Sequence, residues 1–274
     1  MPEKFGQYFL KDKTVVEKII SLLPPGGNLL EIGPGKGALT YKLALIADNL
    51  ICVERDPKLA YYMKEKFGGE KLRVITGDIL KESGFFDGAP FNIISNLPYG
   101  ISTDIIYFLA ALPAWNTCVL TLQKETAERF TAATGSSGYG RTSVTAGVFF
   151  DIHLVFTFSK KCFSPPPKVD AGVLVLQNKN IKAESSQRVD IKEWKNFMNI
   201  CFFSGRKTLS NNLKRLPDNK MGAGLLECLK IKSNARPQDV APGQYLELFK
   251  KIFPPACRDS NEACCLAPTK GSKP

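Results

Sequence analysis

From Asn28 to about Asn178, short apolar runs alternate with segments of helical spacing, and this alternation limits the possible folds more than any other feature of the chain. NLLEIG precedes ALTYKLALIA, NLICVE precedes PKLAYYMKEKF, FNIISNL precedes TDIIYFLAAL and NTCVLTLQ precedes KETAERFTAA, with LRVITGD between the second and third pairs. Strands apolar at successive positions are buried on both faces, and their alternation with helices predicts a mostly parallel α/β sheet covered on both sides. Two later runs, HLVFTFS and GVLVLQN, are joined by a short proline-rich loop and are expected to close the sheet as an antiparallel pair. Sheets of this kind bind ligands beyond the carboxyl ends of their strands, where strand order reverses. Functional residues are therefore sought just after strands.

The polar stretch QNKNIKAESSQR reads as a linker, and EWKNFMNICFF, TLSNNLKRL, GLLECLK and GQYLELFKKIF beyond it have helical spacing. The expected organisation is a Rossmann-like domain over residues 1–178, an all-helical domain over 188–253 and a tail over 254–274. Charge follows this division. Residues 1–178 carry 19 basic and 17 acidic groups, whereas 179–251 carry 15 and 7, so the helical part supplies most of the net charge of +11. A field of that sign attracts a polyanion, which favours nucleic acid as partner.

No apolar run reaches the roughly 18 to 20 residues of a membrane span. MPEKFGQYFLKDK lacks the order of a signal peptide, so a cytoplasmic protein is expected. The eight cysteines form no C-x-x-C pair and several lie in apolar runs, which predicts reduced structural thiols. With a single histidine, His153, in a strand-like segment, neither a metal site nor histidine base chemistry is expected.

EIGPGKGALT follows the first strand and opens a helix, with Gly33, Gly35 and Gly37 where the backbone must turn tightly. Such a turn suits both dinucleotides and S-adenosylmethionine. Glu54 ends the second strand, where a carboxylate can accept from ribose hydroxyls, and Asp78 after the third suits an adenine amino group. Two acids at successive strand ends favour the methyl donor over a pyrophosphate. After the fourth strand comes SNLPYGIST. The lone pair of an adenine amine is delocalised into the ring, so the group must be held by acceptors that draw the nitrogen towards a tetrahedral shape. The Asn96 side-chain oxygen and the Leu97 carbonyl can do this, Pro98 stiffens the turn and Tyr99 offers a stacking ring. In KKCFSPPPKVDAG, Phe163 is placed on the other side of the base and Lys168 within reach of phosphate.

Taken together, FGQYFL, EIGPGKGALT, VERD, GDIL, NLPYGIST, FSPPPKVDAG, FFSGRKTLSNNLK and ARPQDV resemble the ribosomal RNA adenine dimethyltransferases, in order from about Phe5 to Phe253. The resemblance implies a Rossmann-like S-adenosylmethionine-dependent methyltransferase sheet with a small helical domain. It also implies dimethylation of two adjacent adenosines in the 3′-terminal hairpin loop of 16S rRNA, with the small ribosomal subunit as partner and the protein acting as a monomer. RKTLSNNLK, ARPQDV and NLPY resemble the small-subunit branch rather than the sister enzymes that modify 23S rRNA, and a factor that binds without catalysis is a further alternative. Carried over by position, the donor pocket falls on Gln7, Tyr8, Leu10, Gly33, Gly35, Glu54, Asp78, Ile79 and Asn96, and the base site on Asn96, Leu97, Pro98, Tyr99 and Phe163. Arg206, Lys207, Lys214 and Arg215 are the RNA-facing cations of the helical part. Tyr8, Gly100 and Thr142 depart from the family's usual residues.

Overall fold

A computed structural model describes residues 8–179, 189–216 and 224–254, the side chain of Tyr99 excepted. A seven-stranded sheet runs in the order β4 (Leu72–Thr76), β3 (Asn49–Glu54), β2 (Asn28–Ile32), β5 (Phe91–Asn96), β6 (Trp115–Gln123), β9 (Ala171–Asn178), β7 (Phe150–Phe158). The first five are parallel, and β9 pairs antiparallel with both β6 and β7. The order reverses at β2, which has β3 on one side and β5 on the other. β2 ends where a ligand crevice is expected.

Successive strand residues feed opposite cores. Leu29, Ile94 and Val119 join one cluster with Val16 and Ile19 of α1 (Lys13–Ile20) and Leu43 of α2 (Thr40–Ile46). Leu30, Ile32, Ile93, Cys118 and Leu120 face the other side, towards Ile105, Ile106 and Leu109 of α4 (Ser102–Ala111). Helix starts are set locally. The Asp12 carboxylate accepts from Val15 N to cap α1, and α3 (Pro57–Phe67) begins with an Asp56 cap and proline in its first turn. α5 (Lys124–Phe130) and α6 (Arg141–Phe149) lie between β6 and β7, and α6 was not expected from the sequence.

The helical segment comprises α7 (Ile191–Cys201), α8 (Leu209–Leu213), α9 (Leu225–Cys228) and α10 (Pro242–Ile252). Its aromatic residues continue the core on the α4 side of the sheet. The Trp194 ring meets Phe149 edge-on at 5.5 Å, and its Nε1–H donates to buried Thr145 Oγ1 at 3.1 Å. Gly147 of α6 lies against Pro242, and an added Cβ would come within 2.9 Å of the proline ring. Tyr139 donates to the Val240 carbonyl at 2.8 Å. Residues 180–188 of the expected linker, QNKNIKAESSQR, and residues 255–274 of the expected tail lie outside the described residues. One further pairing was not anticipated: β1 (Phe9–Leu10) runs antiparallel to β8 (Phe163–Ser164), setting Leu10 beside Phe163.

Candidate active site at the strand ends

The chain leaves β2 through Gly33, Gly35 and Gly37, all at positive φ (66°, 58° and 83°). At Gly37 a Cβ would come within 2.5 Å of the Phe67 ring, so only glycine lets this turn rest on α3. The turn is tied to the next strand. Gly33 N donates to the Val53 carbonyl at 2.9 Å, Gly35 N to Glu54 Oε2 at 3.0 Å and Asp56 N to Glu54 Oε1 at 2.9 Å. Each Glu54 oxygen thus accepts a backbone N–H, and the carboxylate keeps acceptor capacity for a hydroxyl. Burial raises the Glu54 carboxyl above its usual value, and the backbone donors of Asp56, Gly35 and Arg55 oppose that rise.

Around this turn one cavity is lined by Leu10, Glu31, Glu54, Asp78, Asn96 and Phe163, with Tyr8, Gly33, Gly35, Ile79, Leu97 and Pro98. Thus eleven residues expected at the donor and base sites, from motifs as far apart as Tyr8 and Phe163, come together. Gln7 lies outside the described residues, as does the Tyr99 side chain. The Tyr99 backbone opens a 3-10 turn, Tyr99–Ile101, directly after Pro98. Asp78 Oδ1 accepts from Leu80 N at 3.2 Å, and its Oδ2 lies 3.9 Å from Arg55 Nη1. Lys168 is exposed on the β8–β9 loop, where its carbonyl accepts from Lys160 Nζ, and is not in the cavity wall. Arg206, Lys207, Lys214 and Arg215 are exposed, with Arg215 Cζ 3.5 Å from the centre of the exposed Phe203 ring.

Asn96 ends β5, and its Nδ2–H donates to the Tyr8 backbone carbonyl at 3.1 Å. That bond fixes the amide's orientation and so the direction in which Oδ1, its acceptor, is presented. The contact is to backbone, so it does not require a particular side chain at position 8. Leu97 N donates to the Thr121 carbonyl at 3.1 Å, which fixes the peptide that follows. Phe163 is 2% exposed and stacks on Phe158 at 5.5 Å, so one ring face is already covered inside the protein.

Among the lining residues that the sequence does not single out are Phe9, Glu31, Lys36 and Arg55. Lys36 Nζ sits 4.2 Å over the Phe9 ring, above Gly35. Glu31 had a legible signal, a lone carboxylate inside the apolar run NLLEIG. It is fully buried, accepts from Thr40 Oγ1 at 2.6 Å and lies beside Cys52 Sγ. Burial pushes its carboxyl up to about 7, against the Thr40 and Cys52 hydrogen bonds and with a smaller contribution from Glu54.

Glu31, Glu54 and Asp78 make the cavity richer in acceptors than in cations, with Lys36 and Arg55 the only basic residues in its wall among the described residues. That acceptor set fits the hydroxyl and ammonium groups of a cationic nucleoside such as S-adenosylmethionine. Among the described residues no group of three or more His, Cys, Asp or Glu could hold a metal ion, and no helix is long and apolar enough to cross a membrane.

A family model described as ribosomal RNA adenine dimethylase matches residues 2–253. The ribosomal RNA small subunit methyltransferase A of Mycoplasma mobile is 34% identical over 252 residues, covering 91% of this chain and 97% of that one. Among solved structures, a dimethyladenosine transferase from Plasmodium falciparum superposes with a TM-score of 0.73 at 29% identity, covering 89% of this chain and 98% of that one. The 23S rRNA methyltransferase ErmE superposes with a TM-score of 0.64 at 26% identity, covering 89% and 99%.

Proposed function

Because the chain belongs to the ribosomal RNA adenine dimethylase family, we propose that it dimethylates the exocyclic amines of two adjacent adenosines in the 3′-terminal hairpin loop of 16S rRNA. The small ribosomal subunit is then its partner, and it acts as a monomer in the cytoplasm. The observation that carries this reading is Asn96, whose amide nitrogen is bound to the Tyr8 carbonyl in the wall of the cavity that also holds the glycine turn and Glu54.

When bound, S-adenosylmethionine supplies an electrophilic methyl group on a sulfonium centre. Glu54 and Asp78 accept hydrogen bonds from its nucleoside, Ile79 and Leu10 form the apolar walls, Gly33 and Gly35 let the backbone approach closely, Tyr8 closes the near side, and Gln7 is assigned to donor binding from the family resemblance alone. The chain's other task is to prepare the nucleophile. Asn96 Oδ1 and the Leu97 carbonyl accept both N–H bonds of the target amine, which localises its lone pair, and Pro98 keeps the two acceptors in register. Tyr99 and the remaining face of Phe163 hold the extruded base. Lys168, Arg206, Lys207, Lys214 and Arg215 neutralise RNA phosphates farther out.

Labelled methyl incorporation tests the substrate. Unmethylated small subunits, large subunits and DNA are presented side by side, and the modified bases are identified after digestion. The expected result is dimethyladenosine in small-subunit rRNA, approaching four methyls per subunit. Label confined to large-subunit RNA selects the 23S reading, which the ErmE likeness keeps as the second candidate.

A further inference from the structure

The sequence places the basic surplus in the helical part, yet an open groove on the methyltransferase sheet also gathers cations. Lys11, Lys13, Lys36, Lys42 and Lys66 line it, against one carboxylate, Glu17. The five come from the β1–α1 junction, α1, the glycine turn, α2 and α3, so no single helix face accounts for them. The only ion pair described among them joins Lys42 Nζ to Glu17 Oε1 at 3.3 Å, with both side chains substantially exposed. Lys13 is the first residue of α1, where a cation works against the helix dipole, so helix stability does not explain it.

Aromatic rings lie between the cations. Phe9 and Phe67 line the groove, and Tyr41 projects into it 61% exposed. Lys36 over Phe9 belongs to both the groove and the cavity walls, so the two are adjacent. Cations that follow a backbone, interleaved with rings on which bases stack, are what single-stranded nucleic acid requires.

We infer that this groove binds the phosphodiester backbone of the RNA strand next to the target adenosines, a second RNA contact separate from the helical part. The inference rests on the function proposed above. The groove leads the strand to the cavity, and the helical part holds the rest of the subunit.

The test is a triple variant, Lys13→Gln with Lys42→Gln and Lys66→Gln, which spares the cavity residues. Binding to deproteinised small-subunit rRNA and to intact small subunits is measured across a salt series, with S-adenosylmethionine affinity and melting temperature as controls. The variant is expected to bind both about tenfold more weakly, with a slope of log K against log salt shallower by about 2, roughly 0.7 per lost phosphate contact. Arginine at the same three positions should keep both affinity and slope. Should the triple variant melt early, the three single changes carry the same test, each shifting the slope by about 0.7. Unchanged affinity and slope overturn the inference. A loss seen with intact subunits but not with naked RNA also overturns it, because the groove then faces an acidic protein. Failure of the underlying function looks different: the wild-type protein then binds small-subunit RNA no better than unrelated RNA, and the inference falls with it.

Discussion

The hydrogen bond from the Asn96 amide nitrogen to the Tyr8 carbonyl fixes the orientation in which Oδ1 is presented as an acceptor. Asn96→Ala removes the acceptor, and methyl transfer is expected to fall by at least about 100-fold while RNA affinity stays within about twofold. Asn96→Asp should be as inactive, because a carboxylate has no N–H for the Tyr8 carbonyl and would be repelled by it. Single-turnover rates with affinities measured alongside check both changes. Glu31 governs a different property. Its carboxyl is raised to about 7 in the folded chain from an ordinary 4.5, so the folded state holds the proton more tightly than the unfolded state. The stabilisation is therefore fully present below about pH 4.5 and is lost as pH rises through about 7, by on the order of 3 kcal/mol. Glu31→Gln should flatten this slope in urea titrations of the ligand-free protein between pH 5 and 8, and an unchanged slope would assign the pH dependence elsewhere.

The elements that frame the site differ in how far the sequence reveals them. β2, β3, β5 and the glycine turn were legible because buried parallel strands read as apolar runs and positive φ selects glycine. α6 was not, because Thr142, Ser143, Val144, Thr145, Ala146 and Phe149 are all buried and leave no polar face to mark a helical period. β1 and β8 are two residues each, too short for a period of two to register, and their pairing depends on residues more than 150 positions apart. This small ribbon brings Tyr8 and Phe163 to the same cavity, so part of the candidate site becomes visible only in three dimensions. Phe163 serves both the core and the cavity. Phe163→Ala is expected to cost about 3–5 kcal/mol of stability, whereas Phe163→Leu costs on the order of 1 kcal/mol but still removes the ring proposed to stack on the base. Denaturant unfolding paired with transfer rates separates the two roles: activity should fall in both variants, stability mainly in the first.

At the scale of the molecule, the hydrophobic core does not stop where the methyltransferase sheet ends. Phe149, Trp194, Phe197 and Phe249 belong to one cluster, and Lys195 Nζ pairs with Asp104 Oδ1 of α4 at 2.9 Å. The sequence shows a polar linker and a change in charge, which mark a boundary in composition. It does not show that α7 and α10 cover α4 and α6, because apolar residues on a helix do not name their partner. A chain ending at Lys179 should therefore expose Phe149 and its neighbours, bind a hydrophobic dye and aggregate, and the full chain should unfold in one transition. Two separated transitions, with a soluble truncated chain, would make the helical part an independent domain. The proposed function places methyl transfer at Asn96, in the cavity at the ends of β2 and β5. Its most direct test is transfer of labelled methyl groups to unmethylated small subunits by wild-type protein and Asn96→Ala at equal occupancy, with the bases identified after digestion. Two adjacent dimethyladenosines are expected from the wild type and almost none from the variant; equal yields from both would rule out Asn96 as the group that prepares the amine.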